Sequence, residues 1–258
     1  MRLRITYLGQ CGFLLEAAGS RIVTDPYLSD YVDRNFFSAE TPWKRRYPAP
    51  ATLAQLNPDG VVVSHSHGDH LDPWTIRAYV ESGGEAPIAA PAPECSLLED
   101  LGVKHILRAR ADEPFVIGSA AITPIPCAHT ELHRDDAGDY RELSYLIEAG
   151  DLKVFFAGDM SLYDGLAERL EAERPDVVLL PANGRDEART AAGIIGNTDE
   201  VEAARLAARL GALYIPMHWD LYEINGCDEA EILAAARDAG ARVHLLHPLD
   251  AIDLPEGQ

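Results

Sequence analysis

The sequence predicts an α/β protein built as a four-layer αββα sandwich, and three observations carry that expectation. Short β-type runs dominate the first half and return in the second, several of them are continuously apolar, and helices with readable start and stop signals lie between them. In chain order the strands are Leu3 to Leu8, Gly12 to Ala17, Arg21 to Thr24, Gly60 to Ser64, Pro87 to Ala90, Phe115 to Ile117 and Ala120 to Ile125. The second half adds Leu143 to Glu148, Lys153 to Ala157, Val177 to Leu180, Leu213 to Met217 and Val243 to Leu246. Val61-Val62-Val63 and Val177-Val178-Leu179-Leu180 lack polar alternation, as strands covered on both faces do.

The helices follow from their ends. Asp72 caps a helix whose first position is Pro73, and Gly83-Gly84 stops it. Asp199 with Glu202, and Asp228 with Glu231, have capping-box spacing before runs that close at Gly211 and Gly240. Glu94 to Leu101 and Leu162 to Glu173 complete the set. Pro26 to Pro58 reads as a long aromatic loop, and connections of that length tend to bind or cover ligands.

At 258 residues the chain suits one domain, residues 1–258, with two β-rich halves of roughly 1–140 and 141–258. The 22 Lys and Arg against 42 Asp and Glu leave a formal charge of −20, a surface that repels phosphate backbones and anionic lipid. Nucleic-acid and membrane partners are therefore not expected, whereas a small anionic substrate is compatible, since bound dications reverse the sign locally. Cysteines at 11, 95, 127 and 227 form no CxxC pair and read as free thiols. The N-terminus has no signal-peptide pattern and no apolar run reaches membrane length, so a cytoplasmic protein is expected.

The strongest chemical signal is His65-Ser66-His67-Gly68-Asp69-His70, an HxHxDH pattern directly after the apolar run Val61-Val62-Val63. Imidazoles two residues apart can reach one ion while the following Asp-His turn reaches a second. Three isolated residues follow later strands: His129 after Ala120 to Ile125, Asp159 after Val154-Phe155-Phe156, where Gly158 lets the backbone turn, and His218 after Leu213 to Met217.

This order of motifs resembles the metallo-β-lactamase superfamily. The resemblance implies a metallo-β-lactamase-like fold in which His65, His67 and His129 hold one divalent ion, Asp69, His70 and His218 hold another, and Asp159 bridges the two. A narrower resemblance rests on Leu8-Gly9-Gln10-Cys11-Gly12-Phe13, Asp25-Pro26-Tyr27-Leu28-Ser29-Asp30, Arg46-Tyr47-Pro48, Asn183-Gly184-Arg185-Asp186, Ile195-Gly196-Asn197 and Pro216-Met217-His218-Trp219-Asp220. These stretches look like the L-ascorbate-6-phosphate lactonase-like branch. Met217-His218-Trp219 and Cys127 depart from that branch's pattern, which leaves the identity of the lactone open. Imidazole and carboxylate donors suit Zn, Mn or Fe alike. The resemblance implies Mn first and Zn next, and a homo-oligomer; a diiron oxygen-reducing member would carry Glu in place of His67.

The reaction expected is hydrolysis, most directly of a small anionic, sugar-phosphate-like lactone, by a hydroxide bridging the ions. Asp69 and Asp159 are the catalytic carboxylates at the ions, and Asp220 has two readings, proton donor to the leaving alkoxide or orienter of a ligand. For the substrate, Arg185 reads as an anion clamp or as an ion pair with Asp186 or Glu187, Asn183 as an oxygen donor or a turn residue, and Arg46 as a loop residue closing over the cleft or part of a solvated basic patch. The same scaffold also suits a phosphodiester, an amide or another ester, and a metal-dependent sensor without turnover is the remaining reading.

Overall fold

Apolar residues on alternate positions build the first strands, β1 (Leu3–Gly9), β2 (Gly12–Ala17) and β3 (Ser20–Thr24), which pair as an antiparallel meander. The computed structural model describes residues 2–255. The segment read as a loop holds two short helices, α1 (Tyr31–Asn35) and α2 (Leu53–Leu56), before β4 (Gly60–Val62). Next come α3 (Pro73–Glu81), β5 (Ile88–Pro91), α4 (Cys95–Asp100) and β6 (Ile106–Ala109). A second meander follows in β7 (Phe115–Ile117), β8 (Ala120–Pro126), β9 (Leu143–Ala149) and β10 (Leu152–Phe156). The chain continues through α5 (Leu166–Glu173), β11 (Val177–Pro181), α6 (Glu187–Ala191), α7 (Glu200–Leu210), β12 (Leu213–Met217), α8 (Glu229–Ala239), β13 (Arg242–Val243) and β14 (Ala251–Leu254).

Two seven-stranded mixed sheets result, in the orders β14-β1-β2-β3-β4-β5-β6 and β13-β12-β11-β10-β9-β8-β7. Each joins an antiparallel meander to parallel strands, β3 to β6 in one and β10 to β13 in the other. Parallel neighbours need crossovers, and α3, α4, α5, α7 and α8 lie on these connections. The change of sheet falls between Ala109 and Phe115, earlier than the division near residue 140, and β14 returns to the first sheet beside β1.

The apolar run after Gly60 shows how the layers form. Val62 joins the core shared with Ile122, Tyr145 and Phe155 of the second sheet, while Val61 and Val63 pack with Leu53, Ile76 and Leu98 of α2, α3 and α4. Each fully buried side chain of this kind contributes roughly 1.5–3 kcal/mol. A Cβ on Gly60 would lie 2.5 Å from Ile117, so the sheets approach too closely there for any side chain.

The capping signals hold: Asp72 accepts from Trp74 and Thr75, and both Asp199–Glu202 and Asp228–Glu231 form capping boxes. Four strand or helix readings change. The expected Val243 to Leu246 strand is only the two residues of β13, and the helix expected from Leu162 starts at Leu166, behind Gly165. β6 and β14 were not foreseen, because four-residue edge strands carrying Arg108 or Asp253 show too little apolar pattern. The segment from Pro26 to Pro58 is anchored: Tyr27, Val32, Leu221 and Tyr222 form a small buried cluster, and the Tyr27 and Tyr222 hydroxyls lie 2.6 Å apart.

Candidate metal centre

The candidate ligands sit on loops that leave the C-terminal ends of strands, where side chains of neighbouring strands converge. After β4 the chain folds back tightly, with the His70 and Leu71 amides both donating to the His67 carbonyl, and this turn aims Asp69 and His70 back under His65 and His67. Asp159 follows β10 through Gly158, whose φ of +64° and 2.6 Å clearance from Ser64 exclude a side chain. His218, after β12, adopts a left-handed φ of 56°, a strained conformation held by its amide donating to the Gln10 carbonyl at 2.8 Å.

Two groups of donors form around one carboxylate. His65 Nε2 lies 2.9 Å and His129 Nε2 3.2 Å from His67 Nδ1, and His129 Nε2 lies 3.4 Å from Asp159 Oδ2. On the other side Asp159 Oδ1 lies 3.2 Å from His70 Nε2 and 3.4 Å from His218 Nε2, while Asp69 Oδ2 is 3.4 Å from His218 Nε2. All seven expected ligands thus meet at one place, six of them in two sets that share Asp159 and the seventh, Asp69, at the mouth.

The residues behind this layer decide which ring nitrogens are free. Asp25, fully buried after β3, accepts from the Ser64 amide at 2.7 Å and the Ser64 hydroxyl at 2.6 Å, and lies 2.6 Å from His70 Nδ1. His65 Nδ1 is likewise engaged by Ser64 Oγ at 2.9 Å. His65 and His70 therefore turn their Nε2 inward, the arrangement that orients histidine towards a metal, whereas His67 presents its Nδ1 to the same set. His70 Nε2 is buried and has no hydrogen-bond partner among the described residues. Three imidazole nitrogens facing one another without enough protons to pair, beside an ionised carboxylate, fit a cation between them.

Electrostatics separates the two sets. Burial, reinforced by His70 and His67, pushes His65 well below the usual imidazole range, and burial also lowers His129. Burial acts the same way on His70 and His218, but Asp159 and Asp69 outweigh it, raising His70 well above its ordinary value and His218 to about 9. Burial opposes ionisation of Asp159 and Asp69 too, yet the neighbouring His218 and His70 hold both carboxyls low.

Above the ligands lies a cleft of about 230 Å³ whose walls are Val32, Phe36, Trp43, Ile194, Ile195 and Asn225. Among the described residues no Lys or Arg lines it. A wider groove of about 850 Å³ lies at the far end of the second sheet, beside Arg174, Arg209 and Arg242, and contains none of the clustered donors.

The expected substrate anchors are not in the cleft. Arg185 is bound bidentately by Glu202, at 2.7 Å for each contact, and donates to the Asn197 carbonyl, so its guanidinium pairs with Glu202 and not with Asp186 or Glu187. Arg46 is exposed and its amide donates to the Leu221 carbonyl, outside the cleft lining. Asn183 is buried one layer back, donating to Asn225 Oδ1 at 2.9 Å. Asp220 accepts from the Tyr7 hydroxyl at 2.7 Å and is not among the residues lining the cleft, so its carboxylate is turned to β1. Burial lifts its carboxyl above the ordinary range against the hydrogen bonds that lower it. A carboxyl raised on folding opposes stability as pH climbs past its usual value of 3.8. Asp220→Asn is therefore expected to keep kcat within about tenfold and to leave Tm unchanged or higher at neutral pH, read by steady-state kinetics and calorimetry; a loss of several orders of magnitude would restore a catalytic role.

Gln10, Cys11, Asp25 and Ile195 lie in stretches that carry the resemblance but were given no site role, and Asn225 and the remaining apolar walls were not singled out. Gln10 donates to Asp69 Oδ2 at 2.7 Å, and Cys11 Sγ lies 3.8 Å from Asp159 Oδ1. A carboxylate directly behind a strand was a usable signal for Asp25; nothing local marked the others.

The family model described as a Beta-lactamase superfamily domain matches residues 20–219. The chain is 24% identical to a UPF0173 metal-dependent hydrolase of Carboxydothermus hydrogenoformans, with 98% of this chain and 100% of the relative covered. Among solved structures, Igni18, a metallo hydrolase from Ignicoccus hospitalis, superposes with a TM-score of 0.74 at 21% identity over 100% of both chains. An isothiocyanate hydrolase from Delia radicum gut bacteria gives 0.77 at 18% identity, covering 96% of this chain and 98% of that one. These structural likenesses show a shared fold.

Proposed function

The chain belongs to the Beta-lactamase superfamily domain family and has the metallo-β-lactamase fold, and from that premise we propose that it is a dinuclear metal-dependent hydrolase of small, uncharged lactones or related esters. His65, His67 and His129 would hold one divalent ion and Asp69, His70 and His218 the other, with Asp159 available to both. The observation that carries this reading is the Asp159 carboxylate, whose two oxygens are turned to different imidazole sets. When bound, a pair of divalent ions supplies a nucleophilic water near neutral pH and polarises the oxygen of the group attacked. Both Mn and Zn suit the nitrogen and oxygen donors.

The remaining work belongs to the chain. Val32, Phe36, Trp43, Ile194 and Ile195 hold the acyl portion and keep bulk water from the reacting centre. Asn225 has its Oδ1 held by Asn183, which leaves its amide N–H groups to donate to a substrate oxygen. Asp69, at the mouth and partly exposed, is kept ionised by His70 and His218 and oriented by Gln10, which suits it to hold an ion. The lack of any cationic wall residue, with a net charge of −20, favours an uncharged substrate over the anionic sugar derivative expected from sequence.

The test is a panel with one metal-loaded preparation: γ-lactones of increasing alkyl length, a sugar-phosphate lactone, a phosphodiester and an alkyl isothiocyanate. At about 0.8 kcal/mol per buried CH₂, kcat/KM for the lactones is expected to rise roughly fourfold per methylene until the cleft is full. Turnover confined to the phosphodiester would overturn the ester reading, and preference for the sugar phosphate would overturn the uncharged one.

A further inference from the structure

The seven ligands do not exhaust the donors around the second ion. Cys11, in the turn between β1 and β2, is fully buried, and its Sγ belongs with donor atoms of His70, Asp159 and His218 to a group in which every atom lies within 4.8 Å of the others. Resting on the metal-dependent reading above, we propose that Cys11 is a sulfur ligand of the ion held by Asp69, His70 and His218.

The distances suit coordination. With Zn–N and Zn–O bonds of about 2.0–2.2 Å and a Zn–S bond of about 2.3 Å, the roughly 90–120° angles between neighbouring donors of a five-donor set put those donors about 3.0–3.8 Å apart. Cys11 Sγ is 3.8 Å from Asp159 Oδ1, and His70 Nε2 and His218 Nε2 are 3.2 and 3.4 Å from the same oxygen. An independent observation lies at the same point, where His70 Nε2 is buried with no hydrogen-bond partner among the described residues, its other nitrogen being engaged by Asp25. The turn is also fixed in place. The Gln10 carbonyl accepts from the His218 amide at 2.8 Å, and the Cys11 carbonyl accepts from the Thr24 hydroxyl at 3.2 Å.

On coordination the thiol loses its proton to solvent and the thiolate sulfur binds the ion, with no change of oxidation state. A soft thiolate tilts the donor set from Mn towards Zn. Cys127 is the thiol with which Cys11 is most readily confused, but its sulfur hydrogen-bonds the Asp159 and Ala157 carbonyls and belongs to neither set.

Cobalt(II) reconstitution of the full chain tests this without reference to turnover. The wild type is expected to show a near-ultraviolet sulfur-to-cobalt charge-transfer band together with visible d–d bands, Cys11→Ser to keep the d–d bands and lose the charge-transfer band, and Cys127→Ser to keep both. Competition between zinc and manganese is expected to shift towards manganese by about tenfold or more in Cys11→Ser. Should that variant not fold, X-ray absorption of the wild-type zinc protein decides, with a sulfur shell near about 2.3 Å expected. Bound cobalt without a charge-transfer band, a band that survives Cys11→Ser, or an absorption spectrum with only light scatterers would overturn the assignment of Cys11 alone; failure to bind cobalt or zinc would overturn the metal reading beneath it.

Discussion

Asp159→Ala is expected to lower hydrolytic turnover by about a thousandfold or more and to reduce bound metal from the two ions per chain proposed above to one or none. A thousandfold loss is about 4 kcal/mol of transition-state stabilisation, the several kcal/mol that a correctly held ion supplies. The size follows from position. Asp159 is buried, and its two oxygens serve separate imidazole sets, so one truncation opens both. It also removes the anion that, with Asp69, raises His218 and His70, leaving these rings with the burial penalty alone. Steady-state kinetics and elemental analysis of the dialysed variant measure the two effects. Asp159→Asn preserves shape and removes charge, and turnover within tenfold of wild type in either variant would rule out a shared carboxylate at the centre of the reaction.

Asp25→Ala is expected to weaken metal binding by roughly 10–100-fold and to destabilise the fold by about 3–5 kcal/mol, although Asp25 touches no proposed ion. Its carboxylate receives the Ser64 amide and hydroxyl and pairs with His70 Nδ1, all inside the protein. Truncation strands these buried groups at roughly 1–3 kcal/mol each and frees the His70 ring to rotate. Thermal unfolding of the metal-free protein and titration with zinc separate the structural loss from the loss of affinity. Unchanged zinc affinity in a folded Asp25→Ala protein would show that His70 is oriented by something else.

Much of this centre is readable from the chain. HxHxDH after an apolar run, followed by His129, Asp159 and His218 each behind a strand, marks all seven residues, and the structure gathers six of them as two sets around Asp159 with Asp69 at the mouth. Arg185 shows where such reading stops. An arginine next to a strand end has the right chemistry for an anion, yet Glu202, seventeen residues away, occupies its guanidinium. Asp220, two residues past a ligand, is turned to Tyr7 on β1.

By itself the sequence determined which side chains can ligate metal, which runs become strands with two covered faces, and where the helices start and stop. Those properties depend on residue type, spacing and local backbone preference, all of which act over a few positions. Only the tertiary structure decided that Asp25 stands behind His70, that Cys11 reaches the second donor set, and that the cleft is walled by Trp43, Phe36 and Ile195 with no cation among them. The physical reason is that these contacts join the β1–β2 turn, the β3 end, the long loop and the segment after α6, stretches remote in sequence whose meeting is set by how two sheets pack and how closely Gly60 lets them approach.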